Sequence, residues 1–573
     1  MLFTEFANYL AHIEQTSSRN EITVQLAGLF THASSDEIAH MCYLVLGNLG
    51  PAYDRKEFGI SQKTLLKCIA RAAGKEQDLV DIRNKELGDV GDLALKFLKE
   101  NRGDDMSVIE VFNALSLIAS YQGVGSQEQK IEGLSQLLQR VDGLSAKYIA
   151  RIPVQKLRLG FSDMTILDAL SYMVSNDKSH RTELERAFNV RADIGYIAQV
   201  VKREGIQALS KVTLSVGVPV RPAAAERMPS AALIIDKLGP VAVEPKVDGF
   251  RLQVHVKKGS PVRMFSRNLE DMSKMFPEVA LAVETVPVES MVFEGEAIAV
   301  DEQTGDMLPF QETMQRRRTH GVAQKAQELP LTVFCFDLLY LNGKVLLDEP
   351  YVERRRLLTE SLGGHSKTLL VVDKTDMATG DELSEYFYQQ LEAGYEGIMT
   401  KRLDAPYSAG KRSNNWVKLK REDRSDLNDT VDCVVMGYKF GKGRRNSFGI
   451  GAFLVGVFDE EDQMYKTISN VGTGLTDEQW KEMKSRSDTL QVKHKPNQYD
   501  VASGLTQDVW IEPSMVVEIL ADTITRSPNH TAGKVGDDPG YALRFPRLVQ
   551  WRDDKSPEQA TSVKEIQSMF KNG

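Results

Sequence analysis

The chain has 573 residues, 42% hydrophobic and 26% charged, and a formal net charge of −9. At ~100–200 residues per domain it is too long for one core and predicts about three to five domains. The negative balance does not advertise a nucleic-acid partner, so any such binding needs basic residues gathered on one surface. No apolar run reaches the ~18 residues of a membrane span, and Cys42, Cys68, Cys335 and Cys433 never pair as C-x-x-C, which argues against a zinc module or a disulfide framework and fits a reducing cytoplasm.

The first fifteen residues carry no basic n-region and do not read as a secretory signal. Phe3, Phe6, Leu10 and Ile13 recur at helical spacing, so the spacing predicts a helix from nearly the first residue. Helices joined by short polar breaks then run to about residue 210. Ser18 to Glu21 and Ser34 to Glu37 have capping-box spacing ahead of apolar-periodic runs. No repeat period emerges. Lys156-Leu157-Arg158-Leu159-Gly160-Phe161-Ser162-Asp163 sets two cations and a glycine before a helix that Ser162 or Asp163 could cap. It reads either as a capped helix with solvated cations or as a phosphate-holding helix N-terminus.

Residues 216–225 are rich in Pro, Gly and Ala and read as a linker, or as an extended segment laid over the next domain. From about 231 to 420 the pattern is mixed α+β. Val241-Ala242-Val243 is strand-like. Phe250, Leu252, Val254 and Val256 alternate with Arg251, Gln253, His255 and Lys257 as in a half-buried strand. Between these runs lies Lys246-Val247-Asp248-Gly249, where the lysine is either a held nucleophile or the exposed tip of a hairpin. Further strand-like runs are Met291–Val300, Thr332–Tyr340, Tyr395–Lys401 and Trp416–Lys420, with helical patterns at Tyr351–Leu358 and Glu382–Ala393. Beyond about 425, short strands and Gly-rich turns predict a small β-barrel. Its basic loop, Lys439 to Asn446 with Arg444 and Arg445, suits a phosphate backbone or a solvated hairpin tip.

Charged residues inside apolar strands are costly to bury unless they are paired, metal-bound or facing a cleft. Glu244, Lys246, Glu296, Glu396, Lys418 and Lys420 are all of this kind, and one shared cleft explains them together. With Arg251, Arg267 and Phe336 added, the set holds carboxylates for a divalent metal, cations for phosphates and an aromatic face for a base. The residues themselves thus predict a nucleoside-triphosphate site with a candidate lysine nucleophile.

The stretches Glu244-Pro245-Lys246-Val247-Asp248-Gly249-Phe250-Arg251, Ser266-Arg267-Asn268, Phe293-Glu294-Gly295-Glu296, Phe336-Asp337-Leu338-Leu339-Tyr340, Tyr395-Glu396-Gly397-Ile398-Met399 and Trp416-Val417-Lys418-Leu419-Lys420 occur in that order. A closing stretch runs from Arg544 through Arg552-Asp553-Asp554-Lys555 to Thr561. Together they resemble motifs I, Ia, III, IIIa, IV, V and VI of the ATP-dependent DNA ligases of the archaeal and eukaryotic DNA-ligase-I type, over essentially the whole length. Two departures are Glu294, where many members have Asp, and Tyr395 before Glu396.

The resemblance implies a multidomain chain: an all-α DNA-binding domain (1–212), an α+β nucleotidyltransferase (adenylation) domain (213–420) and a C-terminal β-barrel of the OB-fold type (421–573). It implies nick sealing in duplex DNA through a lysyl-AMP and an adenylylated 5′-phosphate, in replication, repair and recombination. Lys246 is the expected nucleophile, and Asp248 is expected either to orient it or to contact the metal. ATP would be held by Glu244, Arg251, Arg267, Glu296, Phe336, Arg412, Lys418 and Lys420, with Arg552 and Lys555 orienting pyrophosphate as the barrel closes. Glu296 and Glu396 are the expected Mg²⁺ ligands, with Mn²⁺ an alternative. Lys156, Arg158, Arg444 and Arg445 are the expected DNA contacts. The expected partners are nicked double-stranded DNA and, as a further candidate, a sliding clamp, for a monomer without a membrane in the cytoplasm of an archaeal or bacterial cell. The rival readings are an RNA-capping guanylyltransferase or RNA ligase, and a non-catalytic nucleic-acid-binding scaffold.

Overall fold

The structure, a computed structural model, describes every residue except 156, 302–306, 309, 319, 365, 421–429, 442–447, 473–474, 522, 537, 545 and 573. Lys156, Arg444 and Arg445 therefore lie outside the described residues. The chain forms two compact units, Met1–Leu419 and Lys420–Gly573. Among the described residues no helix is long and apolar enough to cross a membrane.

Helices from Phe3–Glu14 to Ile194–Glu204 make up the first part of the first unit, around one continuous core. Phe3, Phe6, Leu10 and Ile13 are all buried, as their spacing predicts. Ser18 accepts from the Glu21 amide at 3.4 Å, but the Glu21 carboxylate takes the Thr16 hydroxyl instead of returning to Ser18, so that box is half formed. At Ser34 and Glu37 both reciprocal bonds form, at 2.9 and 3.3 Å, and Glu37 also pairs with the amino terminus of Met1. Ser162 stands at the N-cap of the helix Asp163–Ser175, but its side chain makes no capping bond.

The strands of the rest of this unit are β1 (Ala224–Arg227), β2 (Val241–Lys246), β3 (Phe250–Lys257), β4 (Arg263–Ser266), β5 (Ser290–Ala299), β6 (Leu331–Leu341), β7 (Lys344–Val345), β8 (Leu369–Val371), β9 (Thr375–Met377), β10 (Gly397–Arg402) and β11 (Arg412–Lys420). They form a five-stranded sheet in the order β1-β11-β10-β2-β9 and a six-stranded sheet in the order β4-β3-β5-β6-β7, with β8 against β6. β2 and β3 are neighbours in sequence but belong to different sheets. Lys246-Val247-Asp248-Gly249 is therefore a crossing between sheets, which overturns the hairpin alternative. Gly249 is required there, because a Cβ would come within 2.3 Å of the Ala297 carbonyl oxygen.

The alternation along β3 predicts one solvated face. The structure differs: Gln253 and His255 are only 2% and 1% exposed. The segment 217–223, entered through a turn closed between Ser215 and Val218, lies over that face as a strap, and polar side chains of the sheet satisfy its backbone. His255 accepts from the Gly217 amide at 3.0 Å, and Gln253 bonds both backbone groups of Val220, at 2.8 and 3.0 Å. Arg251 donates to the Ala223 carbonyl at 2.6 Å, while the Ala223 amide donates to Tyr407 at 2.9 Å. Buried backbone groups need partners, so what reads as a surface strand is a docking rail.

The second unit is rich in strands: β12 (Val431–Lys439), β13 (Ala452–Asp459), β14 (Met464–Val471), β15 (Gln491–Val492), β16 (Tyr499–Asp500), β17 (Val509–Ile511), β18 (Val516–Leu520), β19 (Thr523–Ser527), β20 (Gly540–Arg544) and β21 (Arg547–Trp551). An eight-stranded sheet runs β15-β17-β12-β13-β14-β16, with β18 joining β12 to β21, beside the two-stranded ribbon β19-β20. The inward residues Val431, Cys433, Val435, Phe453, Val455 and Ile468 are fully buried in its core.

Candidate active site

Val241, Ala242 and Val243 are wholly buried and fix β2 in its sheet. Pro245 stands past the last pair with β9 (Val243 with Thr375), where a missing amide costs little. The strand thus delivers Lys246 to its end, opposite Gly397 of β10. The Lys246 ammonium bonds the carboxylate of Glu396, and the Glu396 amide donates to the Lys246 carbonyl at 3.0 Å.

Burial pulls the Lys246 pKa below its ordinary value, and Arg267 adds to this, while Glu296 and Asp248 oppose it. Glu296 projects from β5, where it faces Arg251 of β3. Desolvation pushes its carboxyl up to about 7, with Asp248 adding, against the pull of Lys246, Arg251 and Arg267. Among the described residues its carboxylate receives no hydrogen bond. Asp248 is exposed on the crossing. On β11, burial lowers the Lys418 pKa, and Lys246, Arg267, Arg412 and Arg227 lower it further. Mutually repelling cations gathered around a lysine suit a polyphosphate. Lys420, two residues along the same strand, shares the face of Lys418.

Behind this surface is a buried polar layer. Glu244 is 2% exposed, and its carboxylate accepts from Tyr351 at 2.5 Å, Arg355 at 3.1 Å and Lys401 at 2.7 Å. Lys401 also donates to the Phe336 carbonyl at 2.9 Å and lies 4.9, 4.9 and 4.6 Å from the ring centres of Phe336, Tyr351 and Trp416. Asp337 and Arg354 form a two-bond ion pair at 2.7 and 3.0 Å, both fully buried. Arg251 pairs with buried Glu294 at 2.7 Å and reaches Tyr407 at 3.2 Å. Phe336 is half-buried, edge-on to Trp416 at 5.9 Å.

The structure thus brings Lys246, Asp248, Glu296, Glu396, Arg267, Arg412 and Lys418 into one electrostatic neighbourhood. It places Glu244 and Arg251 one layer deeper, each held by protein partners. Sequence reasoning missed Lys401, Tyr351, Arg355, Arg354 and Tyr407. For the helix Tyr351–Leu362 the available signal was spacing: Tyr351, Arg354, Arg355, Leu358 and Leu362 are its buried stripe. Elsewhere, Arg158 has a positive φ of 62° and is half exposed, paired with Asp89 at 3.1 Å. In the second unit both Arg552 and Lys555 pair with Asp432.

Among the described residues no group of three or more His, Cys, Asp or Glu could hold a metal by itself. Glu296 and Glu396 offer two carboxylates, and among the described residues Glu296 receives no hydrogen bond. That set fits Mg²⁺, which takes one or two carboxylates and completes its shell with water and substrate phosphates.

The chain matches three family models: "DNA ligase N terminus" over residues 2–171, "ATP dependent DNA ligase domain" over 222–420 and "ATP dependent DNA ligase C terminal region" over 446–555. A protein described as "Probable DNA ligase" from Dictyoglomus turgidum is 44% identical, covering 100% of this chain and 98% of its own. "DNA ligase 2" of Korarchaeum cryptofilum is 38% identical over 100% of this chain and 97% of its own. The solved structure "Pmar-Lig_PreS3" shares the fold, with a TM-score of 0.57 at 18% identity, covering 95% of this chain and 99% of that one.

Proposed function

Because the chain belongs to the ATP-dependent DNA ligase family, whose reaction is the sealing of nicks in DNA, we propose that Lys246 is the nucleophile that carries AMP. The observation that carries this reading is the Lys246–Glu396 contact at the sheet crossing, set among the cations Arg267, Arg412 and Lys418.

A free lysine titrates near 10.4 and is protonated at neutral pH. Burial and neighbouring cations favour the neutral amine, and the Glu396 carboxylate is placed to take the proton from Nζ. The freed lone pair attacks the α-phosphorus of ATP, the Nζ–P bond forms, and pyrophosphate leaves with the electrons of the broken P–O bond. Arg267, Arg412, Lys418 and Lys420 hold the phosphates, and Phe336 stacks on the base. Glu296 and Glu396 would hold Mg²⁺, which when bound supplies charge neutralisation at the phosphates. Arg251, braced by Glu294, fixes the ribose side, and Arg552 and Lys555 accompany the pyrophosphate. AMP then passes to the 5′-phosphate of the nick, and the 3′-hydroxyl displaces it. Both are displacements governed by alignment and charge neutralisation.

In this reading residues 1–212, with Lys156 and Arg158, hold the duplex by its backbone, residues 213–420 carry the chemistry, and residues 421–573 add Arg444 and Arg445 as DNA contacts. Such binding weakens steeply with salt and is nearly indifferent to sequence. The four cysteines are free and buried, which suits a reducing compartment. Full-length enzyme incubated with α-labelled ATP and resolved on a denaturing gel tests the assignment: Lys246→Ala is expected to take up no label. Covalent label on that variant would refute the nucleophile.

A further inference from the structure

Asp432, the second residue of β12, is the hub on which the closing motif of the chain is mounted. Its amide donates to the Thr561 hydroxyl at 3.0 Å, and the Thr561 amide donates to its carbonyl at 2.9 Å. Its carboxylate, almost buried, takes Arg552 at 3.1 and 3.2 Å and also bonds the Lys555 ammonium. The other edge of Arg552 is held by Asp554, at 2.9 and 2.8 Å. Every nitrogen of that guanidinium is therefore engaged by a carboxylate. Two cations and two carboxylates cancel, and Glu518, across from Asp432 in β18, adds a further negative field. A pair of residues with the chemistry of a phosphate clamp is stored in neutral form.

We propose that Asp432 is a positioning residue of the nucleotide step: it stores Arg552 and Lys555 and yields them to pyrophosphate by competition. The inference rests on the reading of Arg552 and Lys555 given above. A carboxylate and a phosphate offer the same charge-assisted bonds to a guanidinium and an ammonium. The two ligands therefore exclude each other, and the affinity for pyrophosphate is reduced by the fraction of enzyme in the stored form. The carboxylate keeps the clamp shaped when empty and speeds release of pyrophosphate once the Nζ–P bond has formed. Without it the clamp would hold its product.

The test is the reverse of the first step. Adenylylated full-length enzyme is mixed with pyrophosphate, an oxygen of pyrophosphate attacks phosphorus, the Nζ–P bond breaks, and ATP is counted. Asp432→Asn keeps the shape and removes the charge. It is expected to lower the half-saturating pyrophosphate by about two- to fivefold, the upper part of the range for a partly exposed ion pair, while Asp432→Glu stays near the parent. A structural role alone would weaken pyrophosphate use or lower its maximal rate, and would not tighten it. Should Asp432→Asn fail to fold, Asp554→Asn, whose carboxylate lies at the exposed rim, is expected to tighten pyrophosphate in smaller degree. Unchanged or weaker pyrophosphate dependence in the variant that folds overturns the proposal. The double variant Arg552→Ala with Lys555→Ala separates the two readings. If it adenylylates and reverses like the parent, the role given to Arg552 and Lys555 fails, and with it this inference. If it is impaired while Asp432→Asn leaves pyrophosphate dependence unchanged, only the inference fails.

Discussion

Lys246 and Glu396 hold each other twice, once through side chains and once through the backbone, where the Glu396 amide donates to the Lys246 carbonyl at 3.0 Å. The residue that would take the lysine's proton is thus fixed to the same peptide unit as the lysine. Glu396→Gln keeps the backbone bond and removes the charge. Loss of the counter-ion disfavours the ammonium, so the acid limb of the pH profile for adenylylation is expected to move to lower pH. The maximal rate is expected to fall by about 10²-fold or more, as for loss of a general base. Single-turnover labelling across pH checks this; an acid limb that stays in place would contradict it.

Glu296 is the residue where stability and activity oppose each other. Burial lifts its carboxyl from the ordinary 4.5 to about 7 in the folded chain. A raised carboxyl pKa means that the folded state prefers the neutral form, so stability is lost as pH rises from about 4.5 through about 7. Above pH 7 the charged group costs up to ~3 kcal/mol. Glu296→Gln is expected to melt at a higher temperature than the parent at pH 8, to melt like it near pH 4, and to lose adenylylation. Equal melting temperatures at pH 8 would show that the charge is compensated in solution.

Much of this site was legible because charge inside an apolar strand is conspicuous. Lys246, Glu296, Glu396 and Lys418 each interrupt a run that would otherwise be hydrophobic, and all meet at one surface. The supporting layer was not legible. Arg354, Arg355 and Arg356 are consecutive arginines, yet Arg354 and Arg355 are buried while Arg356 faces solvent between Glu353 and Glu360. Composition cannot separate them; only the helical stripe through Tyr351 and Leu358 does. Asp432 was hidden the same way, as one acid at the start of an apolar strand whose partners come 120 and 123 residues later. The solvated face assigned to β3 was wrong because the covering strap precedes that strand and has no apolar periodicity.

Arg354 and Asp337 form a fully buried ion pair. Removing one partner strands a charge, so Arg354→Met is expected to destabilise the first unit by about 3–5 kcal/mol. Adding Asp337→Leu is expected to restore much of the loss. Denaturant titration of the single and double variants measures the coupling, and additive losses would show that the pair acts as two separate groups.

His255 offers a stability switch away from the chemistry. It accepts from Gly217 through Nδ1, so Nε2 carries the proton shared with Gln253 at 2.9 Å. Burial, with Arg263 adding, lowers its pKa to about 3 from 6.5. The unfolded chain binds the extra proton first, so stability is whole above pH 6.5 and falls as pH drops from there towards 3, by up to ~1.4 kcal/mol per pH unit. His255→Gln is expected to flatten the melting profile between pH 6.5 and 4. A parallel decline in both proteins would assign the acid sensitivity to other groups.

The strap over β3 has an engineering consequence. A segment fastened at Gly217, Val220 and Ala223 is a splint and not a joint, so its length is a specification. One inserted residue would slide the register of every fastening downstream and leave Arg251 without the Ala223 carbonyl that steadies it. Proteases should find little purchase there, and fusions or permutations that open the chain at this point would disturb the nucleotide chemistry from a distance, although the segment carries no reacting group.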